Sequence, residues 1–197
     1  MNGFQFNIPN ILTLSRVALI PVFVILVYFQ LNIWATVVFI FSALTDFLDG
    51  YLARRNNQVS DFGKLMDPIA DKILVMAALV MLVAQRNLLN AEPWVPAWMV
   101  VMILAREIWI NGVRSFAASQ GIVVAAGKLG KIKSFAQMVA IPLLLLHDLV
   151  LVEATYRFTA QFFGERLLLL SIVFSYWSAV EYTMSVFSPK TQKNSHF

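Results

Sequence analysis

Residues 46–71 read DFLDGYLARRNNQVSDFGKLMDPIAD, a stretch in which four of the five aspartates form two pairs with helical spacing: Asp46 and Asp49, then Asp67 and Asp71. Carboxylates near the ends of apolar helices are costly to desolvate, so a cluster of them beside glycine and alanine indicates a functional site, usually a metal site. Residues three or four apart on a helix share a face, so Asp46 and Asp49 would converge from one helix and Asp67 and Asp71 from the next. The stretch therefore predicts two consecutive helices that meet at a carboxylate cluster.

The composition around this stretch is that of a membrane protein. Of the 197 residues, 59% are hydrophobic and 13% are charged, whereas soluble domains have about half apolar and a quarter charged residues. Backbone polar groups in lipid must be paired internally, so we expect one helical domain over residues 1–197. The chain has no cysteine, which excludes disulfides and thiol catalysis.

Six apolar runs are each long enough to cross a bilayer, which takes about 20 residues. They lie near 11–30, 33–53, 66–85, 95–116, 132–150 and 166–187. Short connections with Asn, Pro or Gly at their boundaries separate them. We therefore expect an all-α integral membrane protein, a bundle of six transmembrane helices. Residues 2–9 are expected to form either a short interfacial helix or a disordered terminus.

The distribution of basic residues predicts how the bundle is oriented. With a cytoplasmic N-terminus, twelve of the fifteen Lys and Arg residues fall on the inner side, and Arg86, Arg157 and Arg166 fall outside. The positive-inside rule then puts both termini and the carboxylate cluster on the cytoplasmic side. The net charge of +4 lies at the ends of apolar segments and not on a soluble basic and aromatic face, which argues against nucleic-acid binding.

The carboxylate stretch resembles the signature of the CDP-alcohol phosphatidyltransferases, Asp-x2-Asp-Gly-x2-Ala-Arg, eight further residues, then Gly-x3-Asp-x3-Asp. All eight fixed residues are present: Asp46, Asp49, Gly50, Ala53, Arg54, Gly63, Asp67 and Asp71. Residues 9–16 also look like the family's entry to its first helix. Residues 106–107 and 131–134 lie at positions where the family members that use glycerol 3-phosphate have basic residues. The resemblance covers roughly the first two thirds of the chain.

The four aspartates predict a site for a hard cation. Both histidines, His147 and His196, lie away from the cluster, so a metal held by the aspartates has only oxygen ligands. Such ligands suit Mg2+ or Mn2+. Two ions would neutralise a diphosphate and stabilise the entering and leaving oxygens of a displacement at phosphorus. The resemblance implies that the metal ligands are Asp46, Asp49, Asp67 and Asp71, and that Asp71 is also the general base.

The resemblance further implies transfer of a phosphatidyl group from CDP-diacylglycerol to glycerol 3-phosphate, with release of CMP. The candidate CDP-diacylglycerol-binding residues are Asn10, Thr13, Arg16, Asp49, Gly50, Ala53, Arg54 and Gly63. The guanidinium fork of Arg54 matches phosphate oxygens. The small residues either admit the nucleotide close to the backbone or let helices pack closely. Arg16, inside the first apolar run, either lines the nucleotide site or extends to the membrane surface.

A second basic group is predicted to bind the phosphate of glycerol 3-phosphate. Its members are Arg106, Arg114, Lys131 and Lys133. Positive-inside anchoring is the alternative interpretation of these charges. Glu107 is a candidate partner for a neighbouring arginine.

Several alternatives remain open at this point. Inositol phosphate, serine or phosphatidylglycerol could replace glycerol 3-phosphate as the acceptor, because enzymes that use them share the signature. A divalent-cation transporter would explain the aspartates but not Arg54 and the glycines at fixed offsets. A membrane prenyltransferase is a further alternative, but such enzymes usually have two separated aspartate motifs and this chain has one cluster. The resemblance also implies a homodimer in the bacterial inner membrane, with the active site facing the cytoplasm.

Overall fold

Within the residues it describes, the computed structural model of this protein is a bundle of six α-helices with one short β-hairpin. It describes residues 8–55, 61–86, 92–122, 128–153 and 157–188, with side chains over 14–45, 69, 72–86, 92–122, 130, 132–149 and 159–188. The helices are α1 (Ile8–Tyr28), α2 (Asn32–Arg55), α3 (Asp61–Ala84), α4 (Ala97–Ser119), α5 (Lys128–Leu145) and α6 (Ala160–Phe187). The six predicted helices are confirmed. Of the predicted interfacial segment, residues 2–7 lie outside the described residues.

The turn after α1 sets the first two helices side by side. Gln30 has φ 56°, the left-handed conformation that commonly ends a helix. Leu31 N donates to Leu26 O at 2.9 Å and Gln30 N donates to Val27 O at 3.0 Å, the two bonds of a Schellman motif. Since α2 starts at Asn32, α1 and α2 are antiparallel neighbours and pack together.

The hairpin between α5 and α6 departs from the all-α prediction. Strands β1 (Val150–Glu153) and β2 (Arg157–Thr159) are antiparallel, with Val150 opposite Thr159. Residues 150–159 read VLVEATYRFT, and their β-branched and aromatic side chains favour strands. The fifth helix therefore stops at Leu145, before the predicted end of its apolar run. The sixth starts at Ala160, where the Thr159 hydroxyl accepts a hydrogen bond from Phe162 N at 3.4 Å.

All six helices contribute to one apolar core. Its fully buried members include Phe23, Phe39, Leu79, Ile103, Ile141 and Leu168, one from each helix in chain order. Helices α5 and α6 pack closely at Gly164. A Cβ atom built there would lie 2.7 Å from Leu144 Cγ and 3.2 Å from the backbone oxygen of Ala140.

The outward surface of the bundle is apolar. Large hydrophobic side chains that are about two-thirds or more exposed include Tyr28, Ile33, Ile108, Phe135 and Met184. Monomeric soluble proteins rarely expose contiguous apolar surface of this kind. Within the described residues, α6 is long and apolar enough to cross a membrane, and shorter apolar helical segments lie at 14–28, 32–45, 72–84 and 132–145.

Candidate active site

The four signature aspartates lie at similar distances along α2 and α3 from the connection between these helices. Asp46 lies nine residues before the end of α2 and Asp71 ten residues after the start of α3. At 1.5 Å per residue these distances along the axes are about 14 and 15 Å. Both pairs lie on regular α-helix, so the three- and four-residue spacings have the geometry that the prediction assumed. Their side chains lie outside the described set.

The other signature residues lie near the same connection between α2 and α3. Gly50, Ala53 and Arg54 belong to the last two turns of α2, and Gly63 to the first turn of α3. The first turns of α1 contain Asn10 and Thr13. The side chains of all these residues are outside the described set. Helix α1 packs against both α2 and α3, so the three helices that carry the predicted CDP-diacylglycerol residues form one unit.

Arg16 is enclosed by protein. It lies in the third turn of α1, and only 1% of the residue is exposed. A snorkelling arginine keeps its charged head in water while its stem covers apolar surface, which is incompatible with this burial. The burial favours the interpretation in which Arg16 faces the interior of the bundle. Contact with the nucleotide stays a prediction.

Three charged side chains, two from α4 and one from α5, meet in the interior. Glu107 Oε1 accepts a hydrogen bond from Arg106 Nη1 at 2.9 Å and another from Lys133 Nζ. Arg106 Nε also donates to the backbone oxygen of Ser175 on α6 at 3.0 Å. Each charged residue is at most 8% exposed. The expected pairing of Glu107 with an arginine is confirmed, and we call Arg106, Glu107 and Lys133 the ionic cluster.

A hydrogen bond joins α3, the second carboxylate helix, to α4, the helix that carries two members of this cluster. Lys72, the residue after Asp71 on α3, donates from Nζ to Asn111 Oδ1 on α4 at 2.5 Å. Asn111 lies one helical turn after Glu107. The backbone of Asp71 is thereby held beside the part of α4 that carries the ionic cluster. The bond thus links the α3 backbone beside the predicted base to the segment of α4 that follows Arg106.

The remaining members of the second basic group have different surroundings. Arg114 is exposed, two turns beyond Arg106 on α4, and its guanidinium carbon lies 5.6 Å from the centre of the Tyr182 ring on α6. Lys131 is in the first turn of α5, and its side chain is outside the described set. Arg106 and Lys133 are thus the two members that the structure shows together.

Two buried polar residues near the site were not found by the sequence analysis. Ser42 lies one turn before Asp46, and Gln137 lies one turn after Lys133; they are 0% and 4% exposed. Ser42 Oγ and Gln137 Nε2 have no hydrogen-bond partner among the described residues. Each residue therefore adds a buried polar group one helical turn from a predicted site residue. One signal in the sequence could have found them: each lies four residues from a charged residue, Ser42 from Asp46 and Gln137 from Lys133.

Arg106 also borders an open groove between α4 and α6. The groove has a volume of about 430 Å3, and its other walls include Trp109, Tyr176, Val180 and Met184. Its walls are almost wholly apolar, which suits a hydrocarbon chain.

The donor chemistry of the signature fits a hard divalent cation. Four carboxylates on two packed helices offer oxygen ligands alone, which is the set that Mg2+ and Mn2+ prefer. Among the side chains that the structure describes, no three histidine, cysteine, aspartate or glutamate residues come together as a metal site. The side chains of the signature aspartates are outside that set, and their role as metal ligands stays a prediction.

The described residues thus form a helical bundle with an apolar outer surface and a charged region in its interior. The family model for CDP-alcohol phosphatidyltransferase matches residues 6–177, and the chain belongs to this family. The family is membrane-associated and generally dependent on a divalent metal.

Curated proteins from several bacteria are similar to this chain in sequence. A protein of Bacillus subtilis (strain 168) named CDP-diacylglycerol--glycerol-3-phosphate 3-phosphatidyltransferase is 40% identical over 194 residues, covering 90% of this chain and 94% of that protein. A protein of the same name from Escherichia coli (strain K12) is 39% identical, covering 90% and 93%. Another, from Rickettsia typhi, is 39% identical, covering 71% and 76%.

Proposed function

We propose that this protein transfers the phosphatidyl group of CDP-diacylglycerol to glycerol 3-phosphate, giving phosphatidylglycerophosphate and CMP. The names of relatives about 40% identical over most of the chain support this reaction. One structural observation carries the proposal. The Lys72–Asn111 hydrogen bond holds the second carboxylate helix beside the helix of the ionic cluster, so one region carries residues suited to both substrates.

Residues of the first three helices bind the donor. Asp46, Asp49, Asp67 and Asp71 hold divalent cations, Mg2+ or Mn2+ and two in number, which when bound supply positive charge to the diphosphate of CDP-diacylglycerol. Arg54 clamps phosphate oxygens with its guanidinium fork. Asn10, Thr13 and Arg16 line the nucleotide site from α1. The small residues Gly50, Ala53 and Gly63 let the donor approach the backbone.

Asp71 and the second basic group act on the acceptor. Asp71 accepts the proton of the glycerol 3-phosphate hydroxyl while that oxygen attacks the phosphorus attached to diacylglycerol. The bond between this phosphorus and the CMP oxygen breaks, and CMP leaves. Arg106, Arg114, Lys131 and Lys133 hold the acceptor's phosphate by charge-assisted hydrogen bonds. Their charge favours a phosphorylated acceptor over serine.

The protein acts in the membrane as a bundle of six spans. We place both termini and the active site on the cytoplasmic side of a bacterial inner membrane, on the basis of the charge asymmetry. The exposed apolar side chains around the described bundle support a lipid environment. The family resemblance supports a homodimer.

An acceptor comparison tests the proposal. Purified protein in detergent receives CDP-diacylglycerol and Mg2+ or Mn2+, with glycerol 3-phosphate, inositol phosphate, serine or phosphatidylglycerol in separate reactions, and CMP release is measured. The expected result is rapid release with glycerol 3-phosphate alone. Faster release with another acceptor would change the assigned reaction, and release from none of them would contradict it.

A further inference from the structure

Glu107 is the central member of the ionic cluster. A single oxygen, Oε1, accepts from Arg106 within α4 and from Lys133 on α5. Through Arg106 Nε the cluster also reaches the backbone of α6 at Ser175. The side chain is about 11% exposed, so it lies within the protein. One carboxylate therefore joins two buried cations and, through one of them, three helices.

The shared oxygen determines how far apart the two cationic groups lie. Two nitrogens that each donate to one oxygen are at most about 6 Å apart, since each hydrogen bond is about 3 Å long. That separation lets both nitrogens donate to oxygens of a single phosphate group. Without an anion between them, two buried cations repel each other, and removing one partner of a buried ion pair is strongly destabilising. Lysine is especially dependent on such a partner because its four-carbon stem is flexible.

We propose that Glu107 is a positioning residue for the acceptor: it holds Arg106 and Lys133 side by side so that both donate to the acceptor's phosphate. Glu107 itself does not contact the substrate. Two cations and one carboxylate leave a net charge of +1 in the cluster, which still attracts a phosphate dianion. This inference rests on the proposed function, because it assumes a phosphorylated acceptor.

A different role for Glu107 predicts the opposite change in the KM for glycerol 3-phosphate. If Glu107 occupied the place of the phosphate in the empty enzyme, it would compete with the acceptor. Neutralising Glu107 would then lower the KM for glycerol 3-phosphate. A positioning residue gives a higher KM when it is neutralised, because Arg106 and Lys133 lose their arrangement. The direction of the change therefore separates the two roles.

The test is Glu107→Gln, which keeps the side-chain shape and removes the charge. We expect the KM for glycerol 3-phosphate to rise about tenfold or more, with kcat and the KM for CDP-diacylglycerol within about threefold. Glu181→Gln is the matched control. Glu181 is exposed on α6 and accepts from Trp177 Nε1 at 3.2 Å in the same helix, so its neutralisation should leave all three constants unchanged.

A coupling measurement separates positioning from a general structural role. If Lys133 acts through its position beside Glu107, the combined variant Glu107→Gln/Lys133→Gln raises this KM no more than about threefold above the larger single effect, because the two residues are not independent. Full multiplication of the two single effects would overturn the proposal. Glu107→Asp keeps the charge but withdraws the carboxylate, so it provides the test where the Gln variant does not fold, and it too should raise this KM.

The two proposals fail in different ways. If wild-type protein releases no CMP with glycerol 3-phosphate, the proposed function fails. If wild-type protein uses glycerol 3-phosphate but the KM of Glu107→Gln or Glu107→Asp is unchanged or lower, only the positioning role is overturned.

Discussion

Charged side chains in this apolar bundle lie where other polar groups offset the cost of burial. Glu107 is shared by Arg106 and Lys133, and Lys72 is bonded to Asn111. Charges inside a membrane protein are expensive and mark functional sites by default. The same rule, applied to the sequence, located the aspartates and the basic group. It could not show that Lys133 joins Glu107, because that contact spans 26 residues and depends on how the bundle places α4 and α5.

The first prediction concerns Asp71. Asp71→Asn removes the proton acceptor while keeping the size of the side chain, so we expect kcat to fall and CDP-diacylglycerol affinity to stay nearly intact. Steady-state kinetics and a direct binding measurement in detergent check both parts. A large loss of donor affinity with normal turnover at saturation would show that Asp71 serves donor binding.

The second prediction concerns the basic residues at the acceptor site. Lys133→Ala and Arg114→Ala each remove a charge-assisted hydrogen bond to phosphate, of about 1.5 to 3 kcal/mol, so the KM for glycerol 3-phosphate should rise about ten- to a hundredfold. Initial rates at varied acceptor concentration measure this. If both variants kept the KM within twofold of wild type, these charges would be topology anchors.

At the scale of elements, the apolar runs predicted six helices because a membrane helix needs a continuous apolar stretch. The boundaries around the hairpin were wrong, since residues 150–159 can continue an apolar run or form strands. Packing decides between these outcomes, and periodicity alone does not. The helical setting of the aspartates was predictable because their spacing is local, and their convergence stays a prediction. Burial of Ser42 and Gln137 was not, because it depends on which faces of α2 and α5 meet the other helices.

The third prediction concerns the packing of α5 against α6. Gly164→Ala should destabilise the protein by about 1 to 3 kcal/mol, because the new methyl group would overlap Leu144 and press on the backbone of Ala140. Gly112→Ala, on α4, is the matched control: nothing lies within 4 Å of its added Cβ, and alanine is the better helix former by about 1 kcal/mol. Thermal unfolding in detergent should give a lower Tm for the first variant and an equal or higher Tm for the second. Equal Tm changes would contradict close α5–α6 packing.

At the scale of the whole molecule, the fourth prediction concerns orientation. The natural chain has no cysteine, so single-cysteine variants give no background labelling. Asn57→Cys, between α2 and α3, should react only when a thiol reagent reaches the cytoplasm, and Asn90→Cys, between α3 and α4, should react from outside. The positive-inside rule is the physical reason. The reverse labelling pattern would invert the bundle.

The most direct test of the central claim follows the acceptor into the product. Glycerol 3-phosphate carrying a radioactive phosphate is incubated with CDP-diacylglycerol, Mg2+ or Mn2+ and purified protein, and the lipid phase is extracted and counted. Label should enter phosphatidylglycerophosphate in amounts equal to the CMP released, and EDTA or Asp49→Asn should abolish it, since the aspartates hold the cations. CMP release with the label left in water, or full incorporation in EDTA, would contradict metal-dependent phosphatidyl transfer to glycerol 3-phosphate.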